Sequence, residues 1–117
     1  MNQSVVGEKS LLFAKRIVGC YRYLVKAKQE FVMSKQLLRC GTSIGANVAE
    51  AERGQSRADF ISKMSIALKE ANETENWLNI FRKSELIQDD VYLPIHNKLV
   101  KIKILLIKSI QTLKSKK

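Results

Sequence analysis

The sequence is short of the residues that most catalytic and metal sites require. Its 117 residues include one histidine, His96, and one proline, Pro94. A single histidine cannot supply the two Glu-x-x-His pairs of a di-iron bundle, and nothing in the sequence links it to a nucleophile. The segment GTSIG lacks the spacing and the lysine of a phosphate-binding P-loop. We therefore expect no enzyme, no cofactor and no metal, and we interpret His96 as a surface or capping residue.

Cysteines and long apolar runs are also scarce. Cys20 and Cys40 form neither a CxxC pair nor a zinc or disulfide pattern, so we expect both to be reduced and buried. The longest apolar run near the C-terminus, residues 104–107, is far shorter than the roughly 20 residues that a membrane span needs. Glu8 and Lys9 interrupt the apolar residues of the N-terminal segment, which does not resemble a signal peptide. These features predict a cytoplasmic protein with no membrane partner.

Helical periodicity dominates the rest of the chain. Apolar residues recur at steps of three and four, which predicts helices over residues 7–28, 34–52, 56–83 and 90–113. The predicted buried faces are Phe13, Ile17, Cys20, Leu24, Ala27 and Phe31; Leu37, Gly41, Ile44, Val48 and Ala51; Phe60, Met64, Ala67, Ala71, Thr74, Leu78 and Phe81; and Ile95, Leu99, Ile102, Leu106 and Leu113. Short connections between amphipathic helices favour an all-α, antiparallel up-down-up-down four-helix bundle, with residues 1–117 as a single domain.

Small residues lie on the buried face of the second predicted helix. Gly41 and Gly45 each cost a helix roughly 1 kcal/mol relative to alanine, so packing must offset them. We expect them to let a neighbouring helix approach closely, and a ligand contact at exposed backbone is the alternative. Gly54 is expected to end this helix in the left-handed conformation, and Ser56 to cap the next one with Asp59 in its first turn.

The charge is large and unevenly distributed. There are 21 Lys and Arg against 11 Asp and Glu; residues 1–49 carry +6, residues 50–90 carry −3 and residues 91–117 carry +7. Such an excess favours polyanions such as RNA or DNA, although it would also serve solubility. The cations on the outer faces of the first and last helices are the predicted phosphate contacts: Lys15, Arg22, Lys26, Lys101 and Lys108.

The last predicted helix has a second apolar face. Val100, Ile104 and Ile107 point roughly opposite the core stripe, with lysines on both flanks. Scattered exposed aliphatic residues are common on monomers, but a contiguous stripe rimmed by lysine is more typical of an interface. This face predicts a homo-oligomer.

A polar ridge runs beside the packing stripe of the second helix. It comprises Arg39, Ser43, Asn47 and Glu50. Polar groups at a helix seam must find hydrogen-bond partners, so a structural role is favoured over a binding site. On the third helix Glu70, Glu73 and Glu75 are expected to form ion pairs rather than to act as acid and base. The candidate partners are Lys63, Lys69, Arg39 and Arg53.

This ridge lies in a segment, residues 39–78, that resembles the four-helix-bundle family of 23S ribosomal RNA intervening-sequence proteins. The segment reads RCGTSIGANVAEAERGQSRADFISKMSIALKEANETENWL. The family pattern falls on Arg39, Ser43, Ile44, Ala46, Asn47, Glu50, Gly54, Asp59, Phe60, Glu70, Glu73, Trp77 and Leu78. Six of these, Arg39, Ser43, Asn47, Glu50, Glu70 and Glu73, are expected to be structural or interface residues.

The resemblance implies a left-handed bundle that assembles into a ring-like homopentamer. Some members are encoded inside inserts in ribosomal RNA genes. A related branch serves diversity-generating retroelements as an accessory protein that binds nucleic acid and a reverse transcriptase, and no enzymatic activity is established. Two hypotheses follow: a non-enzymatic oligomer that binds RNA or DNA through its basic surface, or a protein-interaction scaffold, including a reverse-transcriptase accessory protein, whose charge serves partner binding or solubility.

Overall fold

Four α-helices make up the described part of the chain. The computed structural model describes residues 4–115, with α1 at Val5–Lys26, α2 at Met33–Glu52, α3 at Arg57–Lys83 and α4 at Asp89–Ser115. The all-α four-helix prediction is confirmed. Each helix end lies within two residues of the position that the apolar periodicity predicts.

Successive helices run in opposite directions. Gly41 of α2 lies against Ile17 of α1, and the later residue Gly45 lies against the earlier residue Ser10. On the other side of the bundle Tyr92 of α4 bonds to Asn79 of α3, while the later Lys103 bonds to the earlier Glu75. Within residues 4–115 each helix packs against its chain neighbours and α1 packs against α4, which gives a square arrangement around one core.

The core contains nearly all of the predicted stripes. Ile17, Leu24, Leu37, Ile44, Leu78, Leu99 and Leu106 are fully buried. The prediction is wrong for Ala27 and Phe31, which are exposed because α1 ends at Lys26 and the chain no longer follows the helical face. It is also wrong for Leu113, which is half-buried beside an open cavity at the α2–α3 connection, whereas Ile110 is buried. Phe60 is half-buried too, but it packs against the core.

Gly41 of α2 permits close contact with α1, as predicted, whereas the space beside Gly45 would accept an alanine. A Cβ atom added to Gly41 would lie 2.8 Å from both Cγ atoms of Ile17, and one added to Gly45 would lie 3.5 Å from Ser10. The first distance is too short for an alanine in the present backbone. Gly41 therefore sets how closely the two helices pack.

The helix termini are partly as predicted. The Ser56 hydroxyl accepts a hydrogen bond from the Asp59 backbone N–H at 3.0 Å, which confirms the cap of α3. The prediction for Gly54 is wrong: none of the described glycines has a positive φ, and the left-handed residues are Gln29 and Glu85. Gly54 instead allows the chain to turn tightly, because an added Cβ would lie 3.0 Å from the Ala51 carbonyl oxygen.

Glu30, in the connection before α2, caps that helix. Its carboxylate accepts hydrogen bonds from the backbone N–H groups of Val32, Met33 and Ser34 at 3.2, 3.1 and 2.7 Å. Burial acts to raise the pKa of Glu30, and the N–H donors outweigh it and hold that pKa below the usual range of a glutamate. Across the described part of the chain, no helix combines the length and the apolar character needed to cross a membrane.

Candidate functional site

A basic groove lies between α1 and α4. It has a volume of about 510 Å³, and five of its lining residues are cations, while none is acidic: Lys9, Lys15, Arg16, Lys98 and Lys101. Its buried apolar floor consists of Phe13 and Ile102, and the exposed Leu12 lies above that floor among the cations. The fold thus brings cations that are distant in the sequence to the two sides of one groove.

The groove brings together two of the five predicted phosphate contacts. Lys15 and Lys101, 86 positions apart in the chain, both line it. Sequence reasoning missed Lys9, Arg16 and Lys98. The seven-residue spacing of Lys9 and Arg16, which places them on one helix face, was the available signal.

The other three predicted contacts are exposed but lie outside the groove. Arg22 and Lys26 continue along the α1 stripe that begins at Lys15, and Lys108 lies two turns beyond Lys101 on α4. Because α1 and α4 run in opposite directions, Arg22 and Lys26 lie beyond one end of the groove and Lys108 beyond the other. The basic surface therefore extends past the groove at both ends.

In the part of the chain that the structure describes, the groove cations lack an acidic partner. Within residues 4–115 none of Lys9, Lys15, Arg16, Lys98 and Lys101 takes part in an ion pair. Grouped like charges without a counter-charge raise the local positive potential, and a concave surface focuses it. This region is suited to bind an anion.

The carboxylates of α3 are, by contrast, occupied by cations. Arg39 of α2 binds Glu70 at 3.1 Å and also Glu73, so the predicted ion pairing of these two residues is confirmed. The hydrogen bond to Glu73 raises the pKa of Arg39 above the ordinary value of an arginine, although burial acts to lower it. The bridge joins α2 to α3 and places one positive charge between two carboxylates of α3.

Glu75 pairs with residues that the sequence reading did not select. Lys103 of α4 donates to one carboxylate oxygen at 2.7 Å, and Nε2 of His96 lies 2.8 Å from the other. The Lys103 hydrogen bond, against the opposing effect of burial, holds the pKa of Glu75 below its usual range. His96 also stacks on Tyr92, so the surface-or-cap prediction is wrong: the histidine joins α4 to α3. Contacts between helices are not visible in residue spacing.

The polar ridge of α2 satisfies most of its hydrogen bonds within its own helix. The Ser43 hydroxyl donates to the Arg39 carbonyl at 2.6 Å, and the Asn47 amide donates to the Ser43 carbonyl at 2.9 Å. Glu50 pairs with Arg53 at 3.2 Å. Among the described residues, Arg39 is the one ridge residue with a hydrogen bond or ion pair to another helix, which supports a structural role for the ridge.

The two thiols lie in the core. Cys20 and Cys40 are both free and buried, and burial raises the pKa of Cys20 to about 11. Burial also raises the pKa of Cys40. Because the thiolate is the nucleophilic form, neither side chain is activated for covalent chemistry.

The second apolar face of α4 is exposed. Ile104 and Ile107 are 47% and 38% exposed. Val100, one turn before Ile104, is half-buried. Leu93, two turns before Val100, is 45% exposed. We call Leu93, Val100, Ile104 and Ile107 the α4 aliphatic face. It extends the predicted stripe by one residue towards the start of the helix.

Together the fold and the surface define a class: a basic, all-α protein of four helices with five cations lining a groove between the first and the last helix. The sequence matches the family model described as 23S rRNA-intervening sequence protein over residues 2–108. The chain belongs to this family, as residues 39–78 suggested.

A solved structure has the same fold. It is the crystal structure of a protein of unknown function from the S23 ribosomal protein family of Bacteroides thetaiotaomicron. The two chains are 58% identical and superpose with a TM-score of 0.90, over 92% of this chain and 96% of that one. No curated protein matches the sequence.

Proposed function

We propose that this protein is a non-enzymatic, homo-oligomeric helical bundle that binds RNA or DNA through the basic surface of α1 and α4. The observation that carries the proposal is the contrast in pairing. The acidic residues Glu70, Glu73 and Glu75 are held by cations of neighbouring helices, whereas the five groove cations have no acidic partner in the described structure. Free cations remain available to phosphates. When they bind, the counterions condensed on the nucleic acid are released, and this release drives binding.

Assembly would strengthen such binding. The α4 aliphatic face supports self-association, because a contiguous apolar stripe on a basic helix is typical of an interface. Family membership favours the ring-like homopentamer. Repeating one basic surface around a ring raises the effective concentration of cations along a long polyanion.

The described side chains support a role without catalysis. The carboxylates that could act as a pair are bound to Arg39, and the one histidine is bound to Glu75. Both thiols are buried with raised pKa values. We place the protein in the cytoplasm, where free thiols are kept reduced.

A titration of labelled nucleic acid tests the proposal. Fluorescence anisotropy with structured RNA and with single-stranded and duplex DNA is expected to show sequence-tolerant binding. The affinity should fall steeply as the salt concentration rises. In a plot of log K against log salt concentration, each phosphate contact should contribute about −0.7 to −0.9 to the slope. Absence of binding to every probe at low salt would contradict the proposal.

A protein-interaction scaffold is the second candidate. It is favoured by Phe31 and Val32, which are 53% and 75% exposed in the α1–α2 connection and offer an apolar contact away from the groove. A reverse transcriptase is the partner that the family resemblance implies. Capture of one protein partner that survives nuclease treatment, with no bound nucleic acid, would support this candidate over the first.

A further inference from the structure

The cations of the α1–α4 groove occupy two levels. On α1, Lys9 and Arg16 lie within about one sixth of a helical turn of Phe13. On α4, Lys98 lies within about one sixth of a turn of Ile102. These three cations are therefore close to the apolar floor. Lys15 and Lys101 are turned farther from the floor and form the rim. A ligand that reaches all five must enter the groove.

The exposed leucine of the groove favours a ligand that is also partly apolar. Leu12 lines the groove among the cations and is 57% exposed, while Phe13 and Ile102 beneath it are buried. Phosphate groups alone would leave Leu12 in water. A ligand with both phosphates and flat apolar surfaces would cover the cations and the leucine at once.

We propose that the α1–α4 groove binds one single strand of nucleic acid, with phosphates on the cations and a base or sugar face on Leu12. This inference rests on the proposed function and specifies its ligand. Single strands expose base faces that apolar side chains can cover, whereas a duplex keeps them stacked inside. The volume of about 510 Å³ is that of a small-molecule pocket, so we expect a duplex to contact chiefly the rim lysines.

The exposed cations beyond the groove extend the path of the strand. Lys9 and Lys26 are 17 residues apart on α1, which corresponds to about 26 Å along the helix axis. At about 3.4 Å per phosphate in a helical strand, this length spans about seven phosphates. Oligonucleotides of that length or longer are the appropriate probes.

Three charge-matched double variants test the assignment: Arg16→Gln with Lys98→Gln inside the groove, Lys15→Gln with Lys101→Gln at the rim, and Lys35→Gln with Lys69→Gln on α2 and α3. All six residues are exposed and make no ion pair among the described residues, so each variant is expected to fold. Binding is measured by anisotropy with a labelled 15-residue oligothymidine and with a duplex hairpin. Salt is varied from 50 to 200 mM.

The inside variant should weaken single-strand binding and lower the slope of log K against log salt by about 0.7 for each lost contact. Hairpin binding should change less. The rim variant should weaken both probes, and the α2–α3 variant should change neither slope. Leu12→Ser should weaken single-strand binding while the slope stays constant, because it removes an apolar contact and no charge.

Two results would overturn the inference while nucleic-acid binding survives. One is equal weakening by the inside and the α2–α3 variants, which would mean that only the total charge matters. The other is that the wild type binds the hairpin as tightly as the single strand, and that the inside variant loses the same affinity for both probes. Failure of the wild type to bind either probe would instead reject the proposed function itself.

Discussion

At the scale of single residues, Gly41 shows how one missing side chain sets the spacing of two helices. Its Cα faces Ile17 of α1, and no heavy atom can be added there without a shift, because a Cβ would lie 2.8 Å from the isoleucine. Gly19 of α1 has no such neighbour within 4 Å. The two glycines therefore form a natural pair for experiment.

Gly41→Ala should lower the free energy of unfolding by about 1–3 kcal/mol, because overpacking outweighs the gain in helix propensity. Gly19→Ala is the control and should raise it by about 1 kcal/mol, since only propensity changes there. Urea denaturation followed by circular dichroism measures both. A stabilised Gly41→Ala protein would show that α1 and α2 can separate at no cost.

The cap of α2 is a second residue-scale feature. Glu30→Ala removes the acceptor of three backbone N–H groups, so we expect a loss of about 1–2 kcal/mol in unfolding free energy. Glu52→Ala, at the other end of the same helix, is the control and should stay within about 0.5 kcal/mol of wild type. Equal effects of the two substitutions in thermal or urea unfolding would rule out the capping role.

At the scale of helices, polar contacts join α3 to its neighbours on either side. Arg39 of α2 binds Glu70 and Glu73, and Lys103 and His96 of α4 bind Glu75. The contacts to Glu75 are half-buried, so they are screened less than surface pairs. They should make the α3–α4 seam sensitive to acid.

Glu75→Gln should lower the unfolding free energy by about 1–2 kcal/mol at pH 7. The pKa of Glu75 is lowered in the folded state, so its contribution is present above the ordinary glutamate pKa of about 4.3 and is lost as pH falls through the folded pKa. The difference between wild type and variant should therefore shrink below about pH 4. Urea unfolding at a series of pH values measures this difference, and a difference that is constant down to pH 2 would contradict the ion pair. Glu52→Gln is the matched control and should stay within about 0.5 kcal/mol of wild type at pH 7.

At the scale of the whole molecule, the basic surface and the α4 aliphatic face share one helix. Lys101 and Lys108 lie beside Ile104 and Ile107, so an interface formed by the aliphatic residues would hold the lysines of neighbouring copies near one another. Phosphate binding would offset the resulting repulsion. Assembly and nucleic-acid binding should therefore reinforce each other.

Ile104→Asp should shift the protein from an oligomer to the 13.3 kDa chain in analytical ultracentrifugation, because an interface would desolvate the new carboxylate. Leu11→Asp is the control: it places the same charge at a leucine of α1 that is 62% exposed, and it should leave the mass unchanged. A wild-type protein that sediments as a single chain at high micromolar concentration would refute the interface.

The sequence by itself determined the helices and most of their buried faces. Their signal is local, since steps of three and four place Ile17, Leu37 or Leu99 on a core face whatever the neighbouring helix is. It also determined the cap at Ser56 and the small-residue contact at Gly41. The termini after Lys26 and at Gly54 were less predictable, because packing of the turn selects which residue becomes left-handed.

Only the tertiary structure decided which faces meet. Periodicity along one helix cannot tell that residues 9–16 lie across a groove from residues 98–102, because that depends on the direction and spacing of α1 and α4. For the same reason His96 could not be matched with Glu75 before the fold was known. Contacts within a helix follow from residue spacing, whereas contacts between helices follow from how all four pack around a common core.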